Sequence, residues 1–297
     1  MIPLSEMKII QIDITNACIN SCSNCTRLIG HHKKPFFMDM ATFQNAVDSL
    51  IDFPGIVGMI GGEPLIHPQF PEMARYLSLK RLDKKRRGLW STIPEGSRHG
   101  ALIKEIFGVQ YFNDHSVNTI QHQPVLVAAK EMMRDKEKMW ELIDKCWVQN
   151  LWSAAITPKG AYFCEVAAAF DMLFDGNRGW PIEPGWWHRT PEEFGDQKAH
   201  WCPRCGCAIP LERRVSTEEK DDISPGNLTA LEEINSPGIH RGRTILYQKG
   251  LAKEWHPDYN WYMSEIDIEE EKTYRSRIAQ RLDADALPSS PQKEQKC

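Results

Sequence analysis

A chain of 297 residues with nine cysteines and a formal net charge of −4 is long enough to bury a full core and leave room for a smaller second domain. Its slight acidity counts against a nucleic-acid partner held mainly by phosphate contacts. No window reaches the apolar length that spans a bilayer. Met1 to Met7 lacks a basic segment followed by an apolar core, so no secretory signal is read there and a cytoplasmic location is expected. In a reducing compartment, clustered cysteines point to metal rather than to disulfides.

From residue 7 to about 145, strand-like runs alternate with helical ones, the pattern of a parallel α/β fold. Strands are predicted at Lys8–Ile14, Ile56–Ile60, Gly88–Thr92, Val109–Asn113 and Pro124–Ala128. Helices are predicted at Met40–Phe53, Gln69–Leu79, Ser97–Phe107 and Ala129–Cys146. Beyond Cys146, Trp152–Cys164 reads as a β-hairpin turning at Thr157-Pro158-Lys159-Gly160, followed by a helix over Glu165–Phe174. The loop from Asp175 to Trp201 is dense in Trp, Pro and Gly, and its tryptophans are expected to pack rather than to form a lid. Residues 212–265 read as charged and irregular, and Ile268–Leu282 as a surface helix. The expected divisions are therefore a core of residues 1–145, a small domain of 146–211, an extension of 212–286 and a disordered tail of 287–297.

Cys18, Cys22 and Cys25 follow the first predicted strand directly. Three thiols at that spacing can converge on one soft metal centre and leave a further position open. A zinc site is the plain alternative, with His31 or His32 completing it. Gly61-Gly62-Glu63-Pro64 comes just after the second predicted strand, where ligand sites of parallel α/β folds gather. Together these motifs resemble the signature of the radical S-adenosylmethionine (SAM) enzymes. That resemblance implies a partial (β/α)6 barrel in which the three thiolates hold a [4Fe-4S] cluster and SAM chelates the remaining iron. It further implies that Gly61, Gly62 and Glu63 hold the SAM amino group, and that an external donor such as flavodoxin or ferredoxin supplies the electron. The residue before the third cysteine, usually aromatic and near the adenine, is here Asn24. Asn113, after the fourth strand, is a further candidate cofactor contact.

Cys146, Cys164, Cys202 and Cys205 form a second set, split between the two ends of the hairpin and a downstream knuckle. Four thiolates close a coordination sphere, so SAM is not expected there. Cys207 is a surplus thiol that could replace Cys205, and Cys-Pro-x-Cys-Gly is also common in zinc knuckles. The arrangement resembles the Twitch domain, a shortened relative of the SPASM domain, which implies an auxiliary [4Fe-4S] cluster beside zinc as the alternative. The implied activity is hydrogen abstraction from a small polar substrate, such as a cyclitol, sugar or nucleotide sugar, giving a dehydrogenation. His115 and His122 are acid–base candidates by position. An epimerase, a peptide-modifying enzyme and a zinc-stabilised binding protein stand as alternatives. The start of the barrel near residue 7 counts against the peptide-modifying reading.

Overall fold

The isoleucine-rich run near the amino terminus forms the central strand β1, Ile9–Thr15, buried along its whole length. A computed structural model describes residues 1–93, 98–112 and 120–252 of the chain, all within one unit, Met1–Pro257. Parallel to β1 lies β2, Ile56–Gly61, with Ile9 opposite Ile56, and beyond it follow β3, Arg87–Ser91, and β4, Val109–Phe112. The connections run through α1, Met40–Ser49, α2, Phe70–Lys80, and α3, Gly100–Ile106. Asp39 starts α1 by accepting the Thr42 N–H at 2.9 Å. The alternation along β1 puts Ile10, Ile12 and Ile14 on one face and Gln11, Asp13 and Thr15 on the other. Gly58 and Gly88 make room for the Trp90 indole, since a Cβ at either would come within 1.9 and 2.5 Å of its ring.

The expected fifth strand does not join this sheet. Residues 124–128 are buried, but the Val125 and Leu126 carbonyls accept from Gly206 and Ser224 instead, and only Gln121–His122 is extended as a short strand, β5. The other side of β1 is taken by the hairpin: β6, Ser153–Thr157, pairs parallel to β1, and β7, Gly160–Tyr162, returns antiparallel at the edge. The sheet order is β4-β3-β2-β1-β6-β7. It is a mixed sheet dominated by parallel pairs, within an α/β fold. The small residues of β6 explain its position, since every one is buried and none obstructs a central place.

The helix expected over Ala129–Cys146 is broken in two, α4, Ala129–Met132, and α5, Lys136–Asp144, because Asp135 caps the second piece through the Lys138 N–H at 3.0 Å. The helix after the hairpin, α6, spans Glu165–Phe174 as read from the sequence. In the Trp-rich loop, Trp186 and Trp187 donate to the Ser49 hydroxyl and carbonyl, both at 3.2 Å, at the carboxyl end of α1. That end feeds the start of β2, so these indoles pack at the opposite pole from the cysteine loop. The loop closes with α7, Gly195–Trp201.

Residues 212–252 are more ordered than their composition suggests. Strand β8, Arg214–Val215, pairs antiparallel with β5, while β9, Asp221–Ile223, runs parallel to β10, Thr244–Leu246. The surface helix and tail expected beyond residue 265 lie outside the described residues. Among the described residues, no helix is long and apolar enough to cross a membrane.

Candidate metal centres

Chain geometry alone brings the two signature motifs together. Gly61 adopts φ +149°, and a Cβ there would lie 2.0 Å from the Thr15 carbonyl; at Gly62 it would lie 2.2 Å from the Ala17 carbonyl and 2.9 Å from the Cys18 Cβ. The Gly62 and Glu63 N–H groups donate to the Thr15 and Ala17 carbonyls at 2.7 and 2.8 Å. Only glycine allows the end of β2 to lie this close to the start of the cysteine loop.

Within that loop, Asn24 and Leu28 take left-handed backbone conformations, φ 50° and 53°, and turn the chain on either side of Cys25. The Asn20 N–H points at the Cys18 sulfur, 3.4 Å away. Cys18, Cys22 and Cys25 are all part-exposed by area. Burial of the sulfurs pushes the Cys18 thiol up to about 11 and also raises Cys22 and Cys25; Cys25 adds to the rise at Cys18 and Cys22. These thiols hold their protons at neutral pH until a metal displaces them.

His31 cannot complete a zinc site, because its Nδ1 faces the Ser236 hydroxyl at 2.8 Å and its Nε2 faces Asp221 at 3.2 Å. Among the described residues, no three His, Cys, Asp or Glu side chains are drawn tightly enough to hold one metal ion. Cys18, Cys22 and Cys25 influence one another electrostatically, and thiols are soft donors of the type that iron–sulfur groups and zinc both take.

Glu63 is fully buried, and its carboxylate is engaged by the protein itself. One oxygen accepts from the Leu65 N–H at 2.9 Å and the Ser91 hydroxyl at 2.8 Å; the other accepts from the Thr92 N–H and hydroxyl at 2.7 and 2.8 Å. The side chain ties the end of β2 to the end of β3.

The far side of the cysteine loop is covered by the segment from β8 to β10, which sequence reasoning assigned no role. Asn24 is 2% exposed, and its amide exchanges hydrogen bonds with Asp222, at 2.9 Å to the carboxylate and 2.8 Å from the backbone N–H. The Asn24 side chain is therefore a fastener of the loop. His122 sits against the same loop, with Nδ1 2.8 Å from the Ser23 carbonyl. Since a carbonyl only accepts, Nδ1 carries the proton and Nε2 the lone pair. Burial holds this imidazole below its ordinary pKa, against the pull of Asp221. Asn113 and His115 lie outside the described residues.

Beneath the loop lies a buried charge network, also unread in the sequence. Arg27 donates from Nε to Asp13 at 3.2 Å, pairs through Nη1 with Glu165 at 2.9 Å, and reaches the Gln11 side-chain oxygen. The other Glu165 oxygen accepts from the Trp152 indole and the Ser153 hydroxyl at 2.7 and 2.8 Å. Burial pushes the Asp13 carboxyl up despite Arg27.

The second thiol set lies at the open end of the hairpin, level with the start of β1. Cys146, Cys164, Cys202, Cys205 and Cys207 line one part-open pocket with a cavity of only about 20 Å³, walled by Phe163, Phe170 and Trp201. The structure thus brings together the four cysteines expected there, with Cys207 as a fifth. Burial pushes Cys146 up to about 12 and raises Cys164 and Cys202 well above the ordinary thiol value. Cys205 alone is lowered, because the Cys207 thiol donates to it and the Cys207 N–H points at its sulfur from 3.4 Å. Thiols are soft donors of the kind that zinc and iron–sulfur groups take.

No protein-family model matches this chain, and no curated protein matches it. Among solved structures it is similar to BtrN in complex with AdoMet and 2-DOIA, at 14% identity and a TM-score of 0.40 over 67% of this chain and 88% of that one. It is also similar to a selenomethionine form of BtrN in an open conformation, at 13% identity and a TM-score of 0.39 over 72% of this chain and 96% of that one.

Proposed function

We propose that the protein is a radical SAM enzyme in which Cys18, Cys22 and Cys25 hold a [4Fe-4S] cluster whose open iron takes SAM. The observation that carries this reading is the abutment of the two motifs: the Gly61-Gly62 backbone lies in direct contact with the start of the loop that bears the thiols. When bound, the cluster and SAM supply a radical able to take a hydrogen atom from an unactivated C–H bond. The chain's own share is positioning. Gly61 and Gly62 offer backbone to the SAM amino group, and Glu63 braces that turn through Ser91 and Thr92. Arg27, Asp13 and Glu165 form a buried, ion-paired floor under the loop. His122, uncharged at neutral pH, with its tautomer set by Ser23, is the acid–base candidate within the described residues.

The second thiol set supports a net oxidation, since a redox group held there would supply an acceptor for a second electron, with His122 as the base for the proton. Cys146, Cys164, Cys202 and Cys205 are its ligands in this reading, and Cys207 is the hydrogen-bond donor to Cys205. The substrate class is a small polar molecule such as a cyclitol, sugar or nucleotide sugar, and the electron donor a flavodoxin or ferredoxin. The test is SAM cleavage by protein reconstituted anaerobically with iron and sulfide and reduced with dithionite. The wild type is expected to release 5′-deoxyadenosine and methionine, and Cys22→Ala to release neither. An iron-loaded wild type that leaves SAM intact would sink the proposal.

A further inference from the structure

The cysteine loop does not hold its shape alone. Beyond Asn24, its backbone is gripped by groups some two hundred residues away in the chain. Asp221, 3% exposed, accepts the Asn24 N–H at 2.6 Å with one oxygen and faces His31 Nε2 and Arg243 Nε at 3.2 and 3.3 Å with the other. Arg243 then donates to the Ser21 and Cys22 carbonyls, both at 3.1 Å. The Ser23 N–H donates to the Ser216 carbonyl at 2.8 Å, and the Lys220 N–H to the Ser23 hydroxyl at 3.0 Å. Gly30 leaves the space that Arg243 needs, since a Cβ there would lie 2.5 Å from its Nε.

We propose that β9 and Arg243 form a clasp that sets the three-thiol loop in its metal-bearing shape, with Asp221 as the positioning residue. The grip falls on residues 21–24, around the second cysteine and up to the residue before the third, and includes the carbonyl of Cys22 itself. It holds the left-handed turn at Asn24 by its N–H and its side chain together. A polar loop carrying three thiols would otherwise have many conformations to lose on binding metal. Asp221 removes that cost in advance by joining the loop, His31 and Arg243 through one carboxylate. The ligands remain the cysteines, and the clasp acts only through them.

This inference rests on the iron-binding reading of the loop, and its test separates the two. Full-length wild type and Asp221→Asn are reconstituted anaerobically. Release of iron to a chelator, the EPR signal of the reduced protein and the melting of the metal-free protein are then followed. To isolate the loop, the same variant is also made in a background lacking Cys146, Cys164, Cys202 and Cys205. Asp221→Asn is expected to lose loop iron about tenfold or more faster, as removal of an outer hydrogen-bonding partner does at other metal sites. Its EPR line shape should broaden. Arg243→Lys, which keeps the charge but loses the paired grip on two carbonyls, is expected to show the same loss and serves if Asp221→Asn does not fold. If the wild type takes up no iron that depends on Cys18, Cys22 and Cys25, the functional reading fails and the clasp with it. If it does, and the variants release that iron at the wild-type rate with an unchanged signal, the clasp alone is overturned.

Discussion

Arg27 and Glu165 form a buried ion pair at 2.9 Å, joining the residue two places beyond Cys25 to the neighbour of Cys164. The two thiol sets stand at opposite ends of β1, which at about 3.3 Å per residue is roughly 20 Å long. Arg27 reaches from the loop down the Gln11–Asp13 face of the strand, and Glu165 meets it from the first turn of α6. The buried pair therefore ties the segment after Cys25 to the first turn of the helix that follows Cys164.

Removing Arg27 leaves Asp13 and Glu165 buried without their counter-charge. Arg27→Ala should destabilise the metal-free protein by about 3–5 kcal/mol, read by urea unfolding. Arg27→Lys should recover little, because one ammonium cannot serve Asp13, Glu165 and Gln11 from three separate nitrogens. A loss under about 1 kcal/mol, typical of a solvent-exposed pair, would mean that the network is wet.

Glu63→Gln replaces one acceptor oxygen by an amide that must face N–H or O–H donors. The expected cost to the metal-free protein is about 1–3 kcal/mol, the penalty for a buried donor left without an acceptor. If Glu63 acted on bound SAM alone, unfolding without SAM and metal would be unchanged.

Gly62→Ala places a methyl 2.2 Å from the Ala17 carbonyl, so the cysteine loop must move away from β2. Overpacking of this kind costs about 1–3 kcal/mol. The variant should lose iron held by Cys18, Cys22 and Cys25 while keeping that of the second set. Equal loss from both sets would point to general unfolding instead.

His32 gives the fold a pH dependence of defined sign. Burial is the main cause that pushes its folded pKa down to about 4, whereas an unfolded histidine titrates near about 6.5. As pH falls through that window the unfolded chain takes up a proton that the folded chain refuses. The stabilising term is complete above about 6.5 and is lost by about 4, on the order of 1–3 kcal/mol. As pH is lowered across the window, the urea midpoint of the metal-free wild type should therefore fall relative to that of His32→Gln. Parallel curves would remove His32 from the account.

The parts of the site legible in the sequence were those written locally. Cysteine spacing, Gly61-Gly62 and the isoleucine run of β1 each carry their meaning within a few residues. The fifth strand was misread because Val125 to Ala128 are as apolar as a strand residue must be, yet their partners, Gly206 and Ser224, are far away in the chain. The clasp was missed for a related reason. Asp221, Asp222 and Arg243 sit among many surface charges, and nothing local distinguishes a buried carboxylate from a solvated one. Arg27 and Glu165 each lie within two residues of a cysteine, but their pairing depends on α6 packing on β6, the strand next to β1. The tryptophans at 186 and 187 pack as their composition suggested, each indole N–H finding Ser49.

The most direct test of the account is metal content and EPR on anaerobically purified protein, comparing the wild type with a Cys18→Ala/Cys22→Ala/Cys25→Ala variant. The account predicts two reducible [4Fe-4S] signals in the wild type, one of them shifted by SAM, and in the variant a single signal indifferent to SAM. Zinc without iron in the wild type, or a variant whose SAM-responsive signal persists, would contradict it.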